Sequence, residues 1–178
     1  MPLASRRLWP NDLPHMATAG NNLSHYEDLP NGAHFRVGIV VSEWNKQYTE
    51  RMMQGARDLL VSAGVLPENI RVSWVPGSYE LALGSKWHTD RDDVDGVIAI
   101  GSVIRGETAH FDYVCSGAAQ GIMEVSLSSG KPVMFCVLTD DNEAQTEARS
   151  GGVHGNKGVE AAVGLLHMLA LKRTLTSS

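Results

Sequence analysis

The sequence contains few cysteines, no long apolar run and no excess of positive charge. Its two cysteines, Cys115 and Cys136, are too few for a disulfide framework, which indicates a reducing compartment, and we expect a cytoplasmic protein. No run of about 18 apolar residues occurs, so we expect neither a transmembrane helix nor a membrane partner. The formal net charge of −5 differs from the basic character typical of nucleic-acid binders, so no nucleic-acid partner is expected.

The length and the apolar content predict one folded domain preceded by an arm. With 178 residues, 43% of them hydrophobic, the chain is long enough for one domain with a sizeable core. Residues 1–34 are rich in Pro, Asn, Leu and His and show no sustained period, so we interpret them as a partly mobile N-terminal arm. The domain is predicted over residues 35–173, and residues 174–178 are predicted to be a C-terminal tail.

Apolar strands alternate with helical patterns throughout the predicted domain. Strands are predicted over residues 35–41, 70–75, 94–104 and 132–138. Apolar residues at helical spacing predict helices over 48–63, 79–87 and 111–130, and a helical region broken by glycines over 143–171. The alternation predicts a parallel sheet with helices on both faces, and ligands bind such sheets beyond the carboxyl ends of the strands.

The last predicted helix is apolar on nearly all sides. A helix of this kind must be covered all round, and four strands are too few to cover it, so we expect self-association. The apolar positions are Val159, Ala162, Val163, Leu165, Leu166, Met168, Leu169 and Leu171.

The bend after the third predicted strand is a candidate anion site. Gly106 lies in a turn that leads directly into a helix, and a helix N-terminus offers free backbone N–H groups to a phosphate. Thr108 could cap the helix or donate its hydroxyl to the anion. No Lys-Ser or Lys-Thr pair follows the glycine, which excludes a nucleoside-triphosphate loop. An ordinary capped turn is the alternative.

His110 follows this bend and is the candidate acid–base group. An imidazole with a pKa of about 6.5 can donate and accept protons near neutral pH. Most histidines do neither, and His110 is one of 7 in the chain, but its position beside an anion site favours the catalytic interpretation. No second His or carboxylate stands four residues later, so we expect no metal site here.

Other loops at the same edge of the predicted sheet carry further candidates. Trp44 could stack on a planar heterocycle or cover the core, and Asn45 could cap the following helix. Glu80 could accept hydrogen bonds from ligand hydroxyls or only complement the helix dipole. Arg149, before a glycine break, could bind phosphate, although arginines are mostly solvated surface residues, and Lys157 is a weaker candidate.

Four motifs follow one another in order between about residues 35 and 173. They are Gly38-Ile39-Val40-Val41 with Trp44-Asn45, then Val75-Pro76-Gly77-Ser78-Tyr79-Glu80, then Gly101-Ser102-Val103-Ile104-Arg105-Gly106-Glu107-Thr108-Ala109-His110-Phe111, and Val137-Leu138-Thr139 continuing through Gln145 and Arg149 to Gly155-Asn156-Lys157-Gly158. Together they resemble the 6,7-dimethyl-8-ribityllumazine synthase family of riboflavin biosynthesis, and four motifs at family-like spacing are far more specific than any one of them.

The resemblance implies a transferase that works without metal or cofactor. Its small-molecule substrates would be 5-amino-6-(D-ribitylamino)uracil and 3,4-dihydroxy-2-butanone 4-phosphate, condensed to the lumazine with release of phosphate and water. We therefore expect an α/β fold of three layers, α/β/α, around a four-stranded parallel sheet of flavodoxin-like type, plus the N-terminal arm.

The resemblance also implies roles for individual residues. Trp44 would stack on the pyrimidinedione, His110 would shuttle protons, and Lys157 would lie near the ribityl end. Phe135 and Arg149 would come from a neighbouring subunit, Arg149 as a phosphate ligand. The ribityl chain would be held by Ser78, Tyr79 and Glu80, the heterocycle would contact Ser102, Val103 and Ile104, and the phosphate would be bound by Gly106, Glu107 and Thr108.

Members of this family form pentamers, and many assemble twelve pentamers into a hollow icosahedral shell of 60 subunits. Pentamers and pairs of pentamers often carry an insertion around the glycine break. The segment 149–158 has the short form here, so the resemblance implies a 60-subunit shell, although the long arm departs from the pattern.

Two other functions fit parts of the same pattern. An archaeal-type riboflavin synthase would share the architecture but needs no butanone-phosphate site, so Gly106, Thr108 and Arg149 disfavour it. A shell protein that stores lumazine or flavin would need neither His110 nor Arg149, and both are present.

Overall fold

The computed structural model describes residues 28–177 of the 178, so residues 1–27 of the predicted arm lie outside the described part. Within that part, strands and helices alternate as the sequence predicts. In chain order they are β1 (Val37–Ser42), α1 (Lys46–Ser62), β2 (Ile70–Val75), α2 (Leu81–Thr89), β3 (Gly96–Ile104), α3 (His110–Ser129), β4 (Val133–Asp140), α4 (Glu143–Arg149), β5 (Ser150–Gly152), β6 (Gly155–Asn156) and α5 (Lys157–Thr176).

The four long strands form one parallel sheet in the order β2-β1-β3-β4. Residues of β1 pair with both neighbours, so that Val41 lies between Trp74 of β2 and Ile100 of β3. The chain therefore leaves β1 to one side and later crosses to the other, which is the flavodoxin-like order. The predicted fold class, with helices on both faces of a four-stranded parallel sheet, is confirmed.

Alternate side chains of the strands enter two separate cores. In β1, Ile39 packs on the face covered by α1 and α5, whereas Val40 packs on the face covered by α2 and α3. In β3, Ile98 and Ala99 divide between the two faces in the same way. All of these side chains are fully buried, because helices cover both faces of the sheet at its two central strands, β1 and β3.

The glycine-broken region before the last helix contains α4 and a short antiparallel hairpin of β5 and β6, which sequence reasoning did not predict. Gly151 and Gly155 have φ values of 126° and 76°, a left-handed region that favours glycine. The side chain of Asn156 then accepts a hydrogen bond from Gly158 N and caps α5. Helix α5 runs to Thr176, into the predicted tail.

Both α5 and α3 expose large apolar side chains. The sheet and α1 bury one side of α5, including Leu165, Leu166 and Leu169, whereas Met168 and Leu171 are 46% and 51% exposed, so the helix is left partly uncovered as the sequence predicts. Helix α3 spans 20 residues and buries four of them, while Tyr113 and Leu127 are each 75% exposed. Among the described residues, no helix is long and apolar enough to cross a membrane.

Helices α1 and α5 approach each other closely at Gly158, where a Cβ would overlap the Met52 carbonyl. We expect Gly158→Ala to lower the free energy of unfolding by about 1–3 kcal/mol or more, since backbone must move to admit the methyl group. Gly164→Ala in the same helix is the matched control, because it meets only the mobile end of Met134. Denaturant unfolding of both variants measures the difference, and equal effects would contradict this account.

Candidate active site

A cavity of about 600 Å³ opens at the carboxyl edge of the sheet. It lies where the chain order reverses between β1 and β3, the place where ligands bind in open α/β sheets. The loops after β1 and β2, the last residues of β3 and the start of α3 supply its lining residues, which are Trp44, Asn45, Gly77, Ser78, Tyr79, Glu80, Ser102, Val103, Ile104, His110, Tyr113 and Val114. Eight of the residues proposed from sequence therefore come together in one cavity.

The loop after β1 brings Trp44 to the cavity. Its side chain is 72% exposed, so it does not cover the core, and its ring is free to stack on a planar ligand. Its backbone N–H donates to Pro76 O at 3.2 Å, which joins this loop to the loop after β2.

Asn45 does not cap α1 with its side chain, contrary to the sequence expectation. It adopts the left-handed conformation, with φ 59° and ψ 38°, which Asn tolerates better than most residues. Its Nδ2 donates to Ser102 O at 3.0 Å and so bridges the loop after β1 to the end of β3. Asn45 therefore fixes the wall of the cavity, a role that sequence reasoning missed.

The turn after β2 is a short 3-10 helix over Ser78–Glu80. Glu80 Oε2 accepts a hydrogen bond of 2.9 Å from Gly77 N, which holds the turn closed while the residue stays exposed. The ring of Tyr79 lies against Gly117 of α3, where a Cβ would come within 2.5 Å of Tyr79 Cε2. This glycine lets the turn seat directly on α3.

Two buried hydroxyls point to a polar ligand. The Oγ atoms of Ser78 and Ser102 are inaccessible to water in the described chain and have no hydrogen-bond partner there. Both residues line the cavity. Because buried polar groups are almost always hydrogen-bonded, these two hydroxyls are positions beside the cavity where a polar ligand would supply the missing partner after a small rotation of the serine side chain.

The bend over residues 105–110 is exposed and leads straight into α3. Neither packing nor backbone conformation requires a glycine at Gly106, because a Cβ there would meet nothing within 4 Å and the φ angle is not positive. Thr108 Oγ1 accepts a long hydrogen bond of 3.4 Å from His110 N. In the same turn, Asp112 N donates to Ala109 O at 3.1 Å. The start of α3 still presents the positive end of the helix dipole to the bend, which favours an anion there.

Tyr113 and Val114 line the cavity, although sequence reasoning did not select them. They lie three and four residues after His110 on α3, so they share its face of the helix. That spacing is the signal that could have identified both.

The structure leaves the other six proposed site residues outside the lining of this cavity; they are Gly106, Glu107 and Thr108 of the bend before α3, and Phe135, Arg149 and Lys157. Phe135 lies on β4, the last strand of the sheet, and is 45% exposed. The Nζ of Lys157 pairs with Glu160 at 2.7 Å. Arg149 ends α4, and its guanidinium donates to Gln145 O at 3.0 Å.

Helix α4 is held against α1 by three polar contacts between side chains, the first of which is a hydrogen bond of 3.2 Å from Gln47 Nε2 to Glu143 Oε1. Tyr48 OH donates to Glu143 Oε1 at 2.6 Å, and this hydrogen bond to a carboxylate raises the pKa of the tyrosine. Arg51 pairs with Glu147 at 2.6 Å. These contacts orient the helix that carries Arg149.

Neither cysteine is suited to nucleophilic chemistry. Burial raises the pKa of Cys136 to about 12 and also raises the pKa of Cys115, so both thiols stay protonated near neutral pH. Over residues 28–177, no three His, Cys, Asp or Glu side chains stand together as a metal-binding group.

Comparison with known proteins shows which family the chain is similar to. The family model of 6,7-dimethyl-8-ribityllumazine synthase matches residues 34–173. A protein of that name from Christiangramia forsetii is 52% identical over 89% of this chain and 96% of its own length. One from Porphyromonas gingivalis is 50% identical over 89% of this chain and 99% of its own, and one from Pediococcus pentosaceus is 39% identical over 86% and 98%.

Proposed function

This chain belongs to the 6,7-dimethyl-8-ribityllumazine synthase family, and we propose that the cavity at the carboxyl edge of its sheet is the active site, completed by a neighbouring subunit. The chain is an enzyme of the transferase type. It condenses 5-amino-6-(D-ribitylamino)uracil with 3,4-dihydroxy-2-butanone 4-phosphate to 6,7-dimethyl-8-ribityllumazine, phosphate and water, the penultimate step of riboflavin biosynthesis. The observation that carries the site assignment is that loops distant in sequence place an exposed Trp44, two unpartnered hydroxyls and His110 around one cavity.

The pyrimidine substrate is assigned to the part of the cavity between the loops after β1, β2 and β3. The exposed ring of Trp44 stacks on the pyrimidinedione, and the end of β3, Ser102 to Ile104, contacts its edge. The ribityl chain lies along the turn of Ser78, Tyr79 and Glu80, where the free Ser78 hydroxyl and the carboxylate of Glu80 meet the ribityl hydroxyls. The unsatisfied Ser78 and Ser102 hydroxyls support this placement, because a polar substrate would supply their missing partners.

The phosphate of the second substrate is assigned to the bend before α3. Gly106 and Glu107 offer backbone N–H groups, and Thr108 offers its hydroxyl. The open space around Gly106 supports this role, since a side chain there would lie where a ligand must approach the backbone. The positive end of the α3 dipole favours the negative charge.

His110 is assigned the proton transfers. The amine of one substrate forms an imine with the ketone of the other and releases water, proton removal then expels phosphate, and ring closure releases a second water. Each step moves a proton at a carbon, oxygen or nitrogen near the bend, and an imidazole can both accept and donate it. The phosphate leaves with its charge stabilised by cationic and N–H groups. Holding two substrates in register supplies further acceleration.

Phe135, Arg149 and Lys157 are assigned to the cavity of the adjoining subunit. The cavity of one chain contains none of them, and Phe135 is a large apolar side chain left partly exposed on an edge strand, as expected of a residue that meets another copy. Arg149 then adds the guanidinium that the phosphate requires. Lys157 lies near the ribityl end of the same shared site.

The family assembles as oligomers of one chain, and we assign this protein to pentamers that form a 60-subunit shell in the cytoplasm. Exposed apolar side chains on α2 and α3 support an extensive contact between copies; they are Leu83, Trp87, Met123 and Leu127. The hairpin of β5 and β6 is short, with no insertion around its glycines, which favours the shell over smaller assemblies.

An assay of lumazine absorbance with both substrates tests the function, and His110→Ala tests the proton transfers. We expect His110→Ala to slow turnover by about 10–10³-fold, because a general acid–base group of this kind contributes about 10²–10⁴-fold at most. His34→Ala, an exposed histidine before β1, is the matched control and keeps full activity. Wild-type turnover in His110→Ala would remove the histidine from the mechanism.

Co-assembly of two variants tests whether the site is shared. Arg149→Ala alone is expected to raise KM for the butanone phosphate, because a phosphate ligand is lost. Mixed assemblies of Arg149→Ala and His110→Ala subunits should then recover part of the wild-type activity, since some sites combine an intact His110 with an intact Arg149 from the neighbour. Mixtures of Arg149→Ala with wild type calibrate the gain. No recovery in well-mixed assemblies would place both residues in one subunit's site.

Light scattering of the purified protein tests the assembly. Five or 60 copies of the 19.3 kDa chain correspond to about 97 kDa or about 1.2 MDa. We expect the larger species, and Leu127→Asp on the exposed face of α3 should shift it to smaller ones, because the charge would be buried between copies. A wild-type mass near 97 kDa would contradict the shell.

A further inference from the structure

Arg105 directly follows β3 and begins the bend, and it contacts three segments of the chain. Its Nε donates to Asp141 Oδ1 at 2.8 Å, and its guanidinium also donates to Asp112 Oδ1 at 3.2 Å. The plane of the guanidinium lies 4.1 Å from the centre of the Phe111 ring. Its backbone N–H donates to Asp140 O at 2.9 Å. One side chain therefore joins the end of β3, the first turn of α3 and the corner after β4.

The partners on one side belong to the bend that carries the phosphate site. Phe111 and Asp112 follow His110 directly in the first turn of α3. Phe111 is buried in the core, so the guanidinium rests on a fixed surface. Through these contacts, Arg105 fixes the direction in which the bend enters the helix.

The partner on the other side belongs to the corner that begins α4. The backbone N–H of Asp141 donates to Gln145 Oε1 at 2.9 Å, and the backbone oxygen of Gln145 accepts from the Arg149 guanidinium at 3.0 Å. A displacement of Asp141 would therefore move Gln145 and, with it, the end of α4 at which Arg149 lies.

The chemistry of these contacts requires an arginine. A planar guanidinium donates to two carboxylates in its plane while its face lies on an aromatic ring, whereas an ammonium is a point charge that cannot keep all three contacts. The hydrogen bond to Asp141 raises the pKa of the Arg105 guanidinium, and the hydrogen bond to Asp112 raises it further. The positive charge of Arg105 is therefore paired with two carboxylates. Because all three charged groups are exposed, the ion pairs add little to overall stability.

We propose that Arg105 is a positioning residue that holds the phosphate-binding bend and helix α4 in one fixed arrangement. This inference rests on the proposed function. There, the bend serves the cavity of its own subunit and Arg149 serves the cavity of the neighbour, so one guanidinium positions phosphate-binding groups of two adjacent active sites. Arg105 itself does not line the cavity.

The experiment compares Arg105→Lys and Arg105→Met with the control Arg71→Lys, which alters another exposed ion pair, with Asp93, away from the cavity. We expect both Arg105 variants to raise KM for the butanone phosphate about 10-fold or more, because small misplacements of binding groups are costly. KM for the pyrimidine should stay near wild type, since Trp44 and the Ser78–Glu80 turn have no contact with Arg105. A general loss of structure would raise both KM values.

The Arg105→Lys variant distinguishes positioning by the arginine from simple electrostatic attraction of the substrate's phosphate. Full recovery in Arg105→Lys would mean that a positive charge suffices, and an unchanged KM in Arg105→Met would mean that the contacts do not matter, so either result overturns the proposal. Asp141→Asn should reproduce part of the effect while retaining the arginine.

Amide hydrogen exchange gives a readout that does not depend on activity. In Arg105→Lys, peptides covering residues 105–112 and 141–149 should exchange faster than in Arg71→Lys, with unchanged protection in β1 and β3. Equal exchange in both variants would overturn the positioning role even if the enzyme is active. Inactive wild-type protein with faster exchange in the variant would instead contradict the proposed function and leave the positioning intact.

Discussion

Parallel pairing of β1 with both of its neighbours is the constraint on which the cavity depends. Because the strands run the same way, their carboxyl ends meet at one edge, and the loops after β1, β2 and β3 are forced together there. The bond from Asn45 to Ser102 and the bond from Trp44 to Pro76 then brace adjacent loops. The sheet and these two bonds thus fix the backbone around the cavity, whose lining includes both buried side chains such as Ser102 and exposed ones such as Trp44.

In the proposed function, the chain contributes to two cavities. Its own bend, loops and strand ends serve one pocket, whereas Phe135, Arg149 and Lys157 are assigned to the pocket of a neighbour. This assignment would account for the apolar side chains left exposed on α3 and the edge strand β4, because contacts with another copy would then be part of the site. Assembly and catalysis would also be linked, because a separated subunit would lack the guanidinium assigned to the phosphate.

The exposed charged side chains of this protein mainly fix how distant segments are oriented and add little to stability. Exposed ion pairs such as those of Arg105 and Arg51 contribute little to the free energy of unfolding, since water screens them. They do, however, connect segments that are far apart in the chain and fix their relative orientation. The buried groups behave differently: Thr146 donates to the Asp140 carboxylate at 2.7 Å inside the fold, which anchors the corner from which α4 departs.

The order of strands and helices, the fold class, the family and most residues of the cavity followed from sequence alone, because apolar periodicity and motif spacing are local patterns. The left-handed bridge at Asn45 did not, since its partner Ser102 lies 57 positions away. Nor did the buried side of α5 or the place of Tyr113, which depend on how helices cover the sheet. Which residues share a cavity, which stay outside it and which face remains uncovered were decided by strand order and packing, because these bring distant segments into contact.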